Sequence, residues 1–457
     1  MKSKNFKKNI LFVSNLYPPN PAIGSRRIVK FTKFLYETGW NISVLTVRQD
    51  TNRADFYLKD VPDSARIYRT GIIDPFQILI TFRSILKKMI VLGKRSKNKQ
   101  SDSNQKNIEP ASSTRAPIGF FPKISDLIYQ FLNYPDKLVG WVPKSFFKGI
   151  RILFKDKINI IFSSGPPYTN MLLGYLLARI FRLPLVLDFR DPWTRSDWES
   201  NLFGRSFFLK LDVILERIIV EWATLVILNT EKLKENFEKY YPEAFARKFV
   251  CITNGYDRDD FPQIFKETNS HIFRITHAGT LYHLRDPSYF ILACKQLIDE
   301  GKINPTRFEL TFLGDISPEL RFGLAAKFDT KELSWLKFLP PVSFIESQKF
   351  LGKSNALLII QPGTSLQIPA KLFDYIVFRK PILALAHEGA LHDIVVSHAL
   401  GTVVIPEDFQ GIKQVLCDWY KKSLSGTLHF DLSPKVLSRF DMEAISQKLN
   451  WQLKKIY

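Results

Sequence analysis

The sequence predicts an α/β protein built as two consecutive parallel-sheet domains. Short apolar runs alternate with stretches of helical spacing along most of the chain, the pattern of βα units. The alternation restarts after a turn signal, "NGYD" at 254–257. The 457 residues also exceed one ordinary core of roughly 150 residues.

"ILFVS" reads as the first strand. After the loop "NLYPPNPAIG", Ile28, Phe31, Phe34 and Leu35 share one face of a helix, with Ser25 as its expected N-cap and Gly39 as its stop. "ISVLTV" closes a βαβ unit. Residues 75–95 then set Phe76, Leu79, Phe82, Leu86 and Ile90 among Arg83, Lys87, Lys88, Lys94 and Arg95. This predicts either a basic helix lying on an anionic bilayer or a core helix with a lysine edge. The polar run after it reads as disordered, so 75–135 is an insertion.

Alternation resumes with "INIIFSS", the helix "YTNMLLGYLLARIF", "PLVLD", a helix near 204–222, "LVILN", a helix capped by Thr230, and "KFVCIT". These complete a first domain, 1–262. A second, 263–430, holds "FRITHAG", a helix from Pro287, "FELTFLG", "ALLII", a helix from Pro369, "PILAL", "TVVIP" and a helix from Glu407. In 431–457, Ile445, Leu449 and Leu453 line one face of a C-terminal helix, a candidate to return to the first domain. Two such halves imply a cleft between them, where ligands bind by default.

The net charge of +21 points to an anionic partner: nucleic acid, an anionic membrane face or a phosphorylated substrate. The basic residues form no recognisable nucleic-acid reader, so nucleic acid is not expected. Three scattered cysteines suit a reducing, cytoplasmic setting. The start, "MKSKNFKKNILFVSNLYPP", has too short an apolar run for a secretory signal. No window reaches the roughly 18 to 20 apolar residues of a spanning helix. Membrane contact is therefore expected to be peripheral, on the cytoplasmic face. "DRDD" at 257–260 mimics a metal motif, but it follows a turn and no strand leads it to a cleft. The seven histidines lack i, i+4 ligand spacing, so neither a catalytic metal nor a resident cofactor is expected. The lack of G-x-G-x-x-G argues against a dehydrogenase.

The chemistry-bearing residues sit at strand ends and helix starts. "PLVLDFRDPW" places Asp188, Arg190 and Asp191 at the carboxyl end of a buried strand. There they can offer a base and a phosphate-binding guanidinium, or satisfy one another while Pro192 and Trp193 pack. Lys371 and Asp374, three apart on the helix from Pro369, can meet a phosphate and ribose hydroxyls, or form a surface ion pair. Gly279 permits close backbone approach after its strand, with Arg285 available to a second phosphate. Gly24 precedes Arg26 and Arg27 in the first turn of a helix. Arginines there oppose the helix dipole unless they serve a ligand or partner charge.

Taken in order, "LYPPNPAIGSRR", "SSGPPYTNMLLGYLLAR", "LVLDFRDPW", "ITNGYD", "HAGTLYHLRDP" and "IPAKLFDYIVFRKPILAL" resemble the GT-B glycosyltransferases of family four, the bacterial surface-polysaccharide group. The resemblance implies two Rossmann-like domains facing across a cleft. It also implies metal-independent, retaining transfer from a nucleotide-diphosphate sugar to a lipid-linked or glycan acceptor. Gly24 matches the glycine facing the donor diphosphate, Arg285 the basic residue holding the phosphates, and Asp374 the ribose-binding second carboxylate of a paired-glutamate motif. Arg190 stands where many relatives have histidine, and Arg26, Arg27 and Trp193 fall on the acceptor side. The sequence departs at Leu366, where a glutamate is expected and Gln367 is its candidate replacement, and at Thr280, where many relatives carry an arginine. A sugar-nucleotide epimerase and a non-catalytic sugar-nucleotide-binding scaffold are the alternatives.

Overall fold

All thirteen strands among the described residues pair in parallel, which hides both faces of each sheet under helices. In the first domain β1 (Asn9–Val13), β2 (Asn41–Val47), β3 (Arg66–Thr70), β4 (Ile160–Gly165), β5 (Leu185–Phe189), β6 (Leu225–Leu228) and β7 (Phe249–Cys251) form a sheet of order β3-β2-β1-β4-β5-β6-β7. The second comprises β8 (Phe273–Ala278), β9 (Phe308–Leu313), β10 (Leu336–Leu339), β11 (Ala356–Ile360), β12 (Ile382–Leu385) and β13 (Gly401–Val404), ordered β10-β9-β8-β11-β12-β13. The computed structural model describes residues 8–20, 22–49, 56–74, 130–195, 206–261, 271–328, 333–361 and 363–456.

Strand alternation assigns the two faces of the first sheet. Ile10, Phe12 and Val186 point under α1 (Ile23–Glu37), whereas Leu11, Leu187 and Phe189 point under α2 (Val142–Lys155), α3 (Thr169–Phe181), α4 (Ser206–Trp222) and α5 (Glu231–Tyr240). The second sheet is covered by α6 (Ser288–Asp299), α7 (Pro318–Lys327), α8 (Phe344–Lys353), α9 (Lys371–Tyr375), α10 (Ala390–Ser397) and α11 (Phe409–Leu424). After α12 (Pro434–Arg439), α13 (Met442–Ile456) crosses back and lays Ile445, Leu449 and Leu453 against α1. Burying each contributes up to about 1.5 to 3 kcal/mol, enough to tie the chain's end to the first domain.

Several expectations are corrected. The first helix starts at Ile23 with Ala22 at its cap, and the Ser25 hydroxyl donates inside the first turn to the carbonyls of Asn20 and Ala22. Pro369 lies before the Ala370 cap of α9, outside the helix. Strands β3 and β10 and helices α2, α7, α8 and α10 have no counterpart in the sequence reading. The expected helix at 75–95 lies outside the described residues. Thr230 caps α5 as expected, accepting from Leu233 N at 3.0 Å, and Gly39 has the left-handed φ of +89° that stops α1.

Candidate active site in the interdomain cleft

The carboxyl ends of the two sheets face one another across a cavity of about 830 Å³. Its walls are the loops that leave β5, β6 and β7 on one side and β8, β9 and β11 on the other. This is where open parallel sheets carry ligands, because strand-end loops and helix amides converge there.

On the second domain's side two glycines let Lys371 and the strand-end loops pack closely at the cleft wall. Gly279 has φ +134°, and a Cβ there would come within 2.5 Å of Lys371 Nζ. Gly314, with φ +142°, backs onto it, its own Cβ direction blocked by the Gly279 carbonyl at 2.6 Å. Lys371 Nζ lies 3.0 Å from His277 Nε2. Because His277 Nδ1 faces the Leu358 carbonyl at 2.9 Å, Nδ1 must donate, which leaves Nε2 to accept from the lysine. Burial, and then the nearby Arg285 charge, push the Lys371 ammonium well below its ordinary value. Among the described residues no carboxylate lies within ion-pair distance of Lys371 or Arg285. Two cations facing one cavity without a counter-charge are costly unless an anion joins them.

On the first domain's side the charges are already paired. Arg27 grips Asp188 through Nε and Nη2, the shortest contact at 2.8 Å, and also donates to the carbonyls of Ile252 and Thr253. Asp188 further accepts from Ser164 Oγ at 2.7 Å, is fully buried and does not line the cleft. Asp188, expected at the cleft edge, thus sits behind the wall in a pair with Arg27, and Arg27, though at the cleft wall, has its donors spent. Arg190 donates to the carbonyls of Gly24 and Pro166. A side chain at position 24 would collide with that guanidinium, so in this state Gly24 makes room for Arg190. Trp193 is buried and stacks on Tyr168 at 4.4 Å, outside the cleft lining.

Asp191 does face the cleft. Its Oδ1 accepts from Gln367 Nε2 at 2.9 Å across the domain boundary, and burial raises its pKa above the usual carboxylate value. The neighbouring Leu366 carbonyl accepts from Thr230 Oγ1 at 2.7 Å, so the loop that lacks the expected glutamate is fastened to the first domain. Arg26 reaches across to Asp374 at 2.6 Å.

The sequence reading missed Lys30. This fully buried lysine places Nζ 2.7 Å from each of Asp60, Asp257 and Asp260. These three carboxylates are close enough to hold a cation, and the cation they surround is an ammonium. The signal was available, since Arg26, Lys30 and Lys33 repeat along one helix face and "DRDD" is the only dense acidic run to match them. Gly314 was legible too, as a glycine directly after a strand like Gly279.

No family model and no curated protein matches the sequence. Solved structures do match over almost the full length. Sucrose-phosphate synthase from Thermosynechococcus elongatus is 13% identical, with a TM-score of 0.64 over 98% of this chain and 99% of that one. Anabaena HepE in complex with UDP-glucose is 14% identical, with a TM-score of 0.58 over 98% and 99%. WaaG, a glycosyltransferase involved in lipopolysaccharide biosynthesis, is 13% identical, with a TM-score of 0.56 over 97% and 99%. This chain has the GT-B fold. With it come the two facing parallel sheets and the returning C-terminal helix, and the cleft between the sheets is the place to look for its chemistry.

Proposed function

We propose that this GT-B protein is a retaining, metal-independent glycosyltransferase. It moves a sugar from a nucleotide-diphosphate donor to a lipid-linked or glycan acceptor in cell-surface polysaccharide synthesis. The observation that carries the reading is the pair of basic side chains, Arg285 and Lys371, beside Gly279 in the interdomain cleft, with no carboxylate within ion-pair distance among the described residues. A diphosphate supplies the missing charge, and its leaving-group charge grows as the sugar–phosphate bond breaks, so the same pair favours the transition state over the ground state. The HepE structures hold UDP and UDP-glucose in a like fold, which supports the donor class.

The remaining roles follow from position. Asp374 takes the ribose hydroxyls once Arg26 is displaced, and Asp191 takes the acceptor hydroxyl's proton at the opposite wall. A raised pKa suits a base better than an ordinary carboxylate's. Retention and the lipid-linked acceptor rest on the resemblance, and the cytoplasmic setting on the scattered cysteines. Among the described residues no helix is long and apolar enough to cross a membrane.

A chain described as a UDP-N-acetylglucosamine 2-epimerase from Listeria monocytogenes shares the fold at a TM-score of 0.53 and 10% identity, so epimerisation is the second reading. Incubation with a panel of nucleotide sugars separates the possibilities. Slow release of nucleoside diphosphate with free sugar supports the transferase; an epimerised nucleotide sugar supports the second reading; absence of nucleotide binding overturns both.

A further inference from the structure

We infer that Asn229 and Gln361 form a subsite that recognises the hydroxyl groups of a neutral sugar. The inference rests on the transferase reading and deepens it, because it names the class of sugar that the cleft takes.

Each residue stands directly beyond a strand end, on its own side of the domain boundary. Asn229 follows β6, and its backbone N–H donates to the Phe189 carbonyl at 3.2 Å; Gln361 follows β11 and donates in the same way to Leu385 at 2.9 Å. Both line the cavity, and they are only 4% and 5% exposed. Their amide orientations are fixed, because only the NH2 end can donate to a carbonyl. Asn229 Nδ2 donates to the Arg190 carbonyl at 3.1 Å. Gln361 Nε2 donates to the Gln367 carbonyl at 3.3 Å and to Thr364 Oγ1 at 2.7 Å. The other end of each amide is therefore an oxygen, and neither Asn229 Oδ1 nor Gln361 Oε1 has a hydrogen-bond partner among the described residues. Buried oxygens left without a donor are rare and costly. Two of them at one cavity, on amides already fastened at their other ends, call for a ligand that brings its own donors.

The two amides belong to one seam. Asn229 holds the carbonyl just before Asp191, Gln361 holds the carbonyl of Gln367, and the Asp191 and Gln367 side chains meet at 2.9 Å. Their chain neighbours Thr230 and Leu366 close the same seam at 2.7 Å. Chemistry decides the ligand. The Asp191 carboxylate adds further acceptors, while the side-chain donors here are spent, Gln367 Nε2 on Asp191 and Arg190 on the carbonyls of Gly24 and Pro166. A phosphate or carboxylate would face like partial charges, and an apolar group would leave the oxygens unpaired. Hydroxyl groups satisfy them. With the phosphates at Arg285 and Lys371, the seam takes a sugar, either the donor's or the acceptor's.

Calorimetry on the full-length chain compares UDP with UDP-glucose, UDP-galactose and UDP-glucuronate, and GDP with GDP-mannose. At least one neutral hexose conjugate should bind roughly three- to tenfold tighter than its plain diphosphate, the yield of a hydrogen bond between neutral groups. UDP-glucuronate should show no such gain. Asn229→Leu and Gln361→Met should each reduce the gain and leave the plain diphosphate bound as to the parent. Should either variant fail to fold, the parent chain's ranking of neutral over anionic sugar still decides. A gain that appears only when methyl α-glucoside is added to the UDP complex, and that the variants lose, assigns the subsite to the acceptor's sugar. Absence of a gain in both arms, tighter binding of UDP-glucuronate, or an equal loss of plain diphosphate in the variants overturns the inference. Failure of the parent chain to bind either diphosphate would sink the transferase reading, and the inference with it.

Discussion

Arg26 Nη1 of the first domain lies 2.6 Å from the Asp374 carboxylate of the second, an ion pair between a buried arginine and a half-buried aspartate that bridges the cleft. Asp374 is the residue that the resemblance assigns to the donor ribose, so in this state the protein's own arginine occupies it. Burial works against the Arg26 charge, but Asp374, Tyr57 and Asp260 together outweigh it and hold the guanidinium charged. Arg26 on α1 is therefore a tie between the domains and, on the proposed donor reading, the group that a nucleotide displaces.

The first prediction follows. Asp374→Ala should weaken nucleoside diphosphate binding by about 1.5 to 3 kcal/mol, the loss of a hydrogen bond to a charged group. Inorganic diphosphate, which has no ribose, should bind as to the parent. Calorimetric titration with both ligands checks this, and an equal loss for both would remove Asp374 from the ribose site.

Lys371 yields a pH prediction. Its folded pKa lies well below the ordinary 10.5, so between the two values the empty site holds a neutral amine. A bound diphosphate favours the ammonium, so binding takes up a proton there and affinity strengthens as pH falls through that window. Titrations in buffers of different ionisation enthalpy should report net proton uptake, and Lys371→Met should abolish it. Arg285→Lys should weaken the diphosphate but leave a plain nucleoside unaffected, because an ammonium cannot grip in two places.

The two carboxylates of "DFRD" separate by the same kind of test. Asp191→Asn should lower transfer by roughly a hundredfold with nucleotide affinity intact, as removal of a base does. Asp188→Asn should instead cost stability, about 3 to 5 kcal/mol, because it leaves Arg27 buried without its counter-charge. Urea unfolding and transfer assays on the pair would show the roles crossing over. A transfer defect in Asp188→Asn without a stability loss would restore it to the chemistry.

That division was partly legible. Within β5, Val186 and Asp188 share a face by strand alternation, and Val186 packs under α1, so a partner from α1 could have been expected; Arg27 is that partner. Asp191 lies beyond the strand, where alternation gives no direction. Strands such as "LVIL" and "ALLII" were readable because a buried parallel strand is a continuous apolar run. Strand β3, "RIYRT", was not, because an edge strand carrying two arginines has half-buried side chains and no such run. Helix α2 was hidden by its four cations, three of them exposed, which interrupt its apolar pattern. The basic stripe of α1 and "DRDD" are each visible in the sequence, but their pairing escaped because only the fold joins residues more than two hundred positions apart.

The Lys30 cluster supplies the last prediction. Burial alone would raise the Asp257 carboxyl, but Lys30, and then Lys33, lower it from 3.8 to about 2. Below 3.8 the unfolded chain takes up a proton that the folded chain refuses. The contribution of Asp257, about 2 kcal/mol, is therefore complete above that value and lost as pH falls through about 2. Lys30→Met removes the ammonium from among Asp60, Asp257 and Asp260 and should cost about 3 to 5 kcal/mol at pH 7, since buried carboxylates then face each other without it. Without Lys30, burial lifts the Asp257 carboxyl above its unfolded value, which reverses the slope: mild acidification from pH 7 towards 5 should stabilise Lys30→Met while leaving the parent unchanged or weaker. Urea midpoints across that range read the slope directly. A variant whose stability falls with the parent's on acidification would mean that Lys33 and Lys59, which also approach these carboxylates, carry the pairing without Lys30.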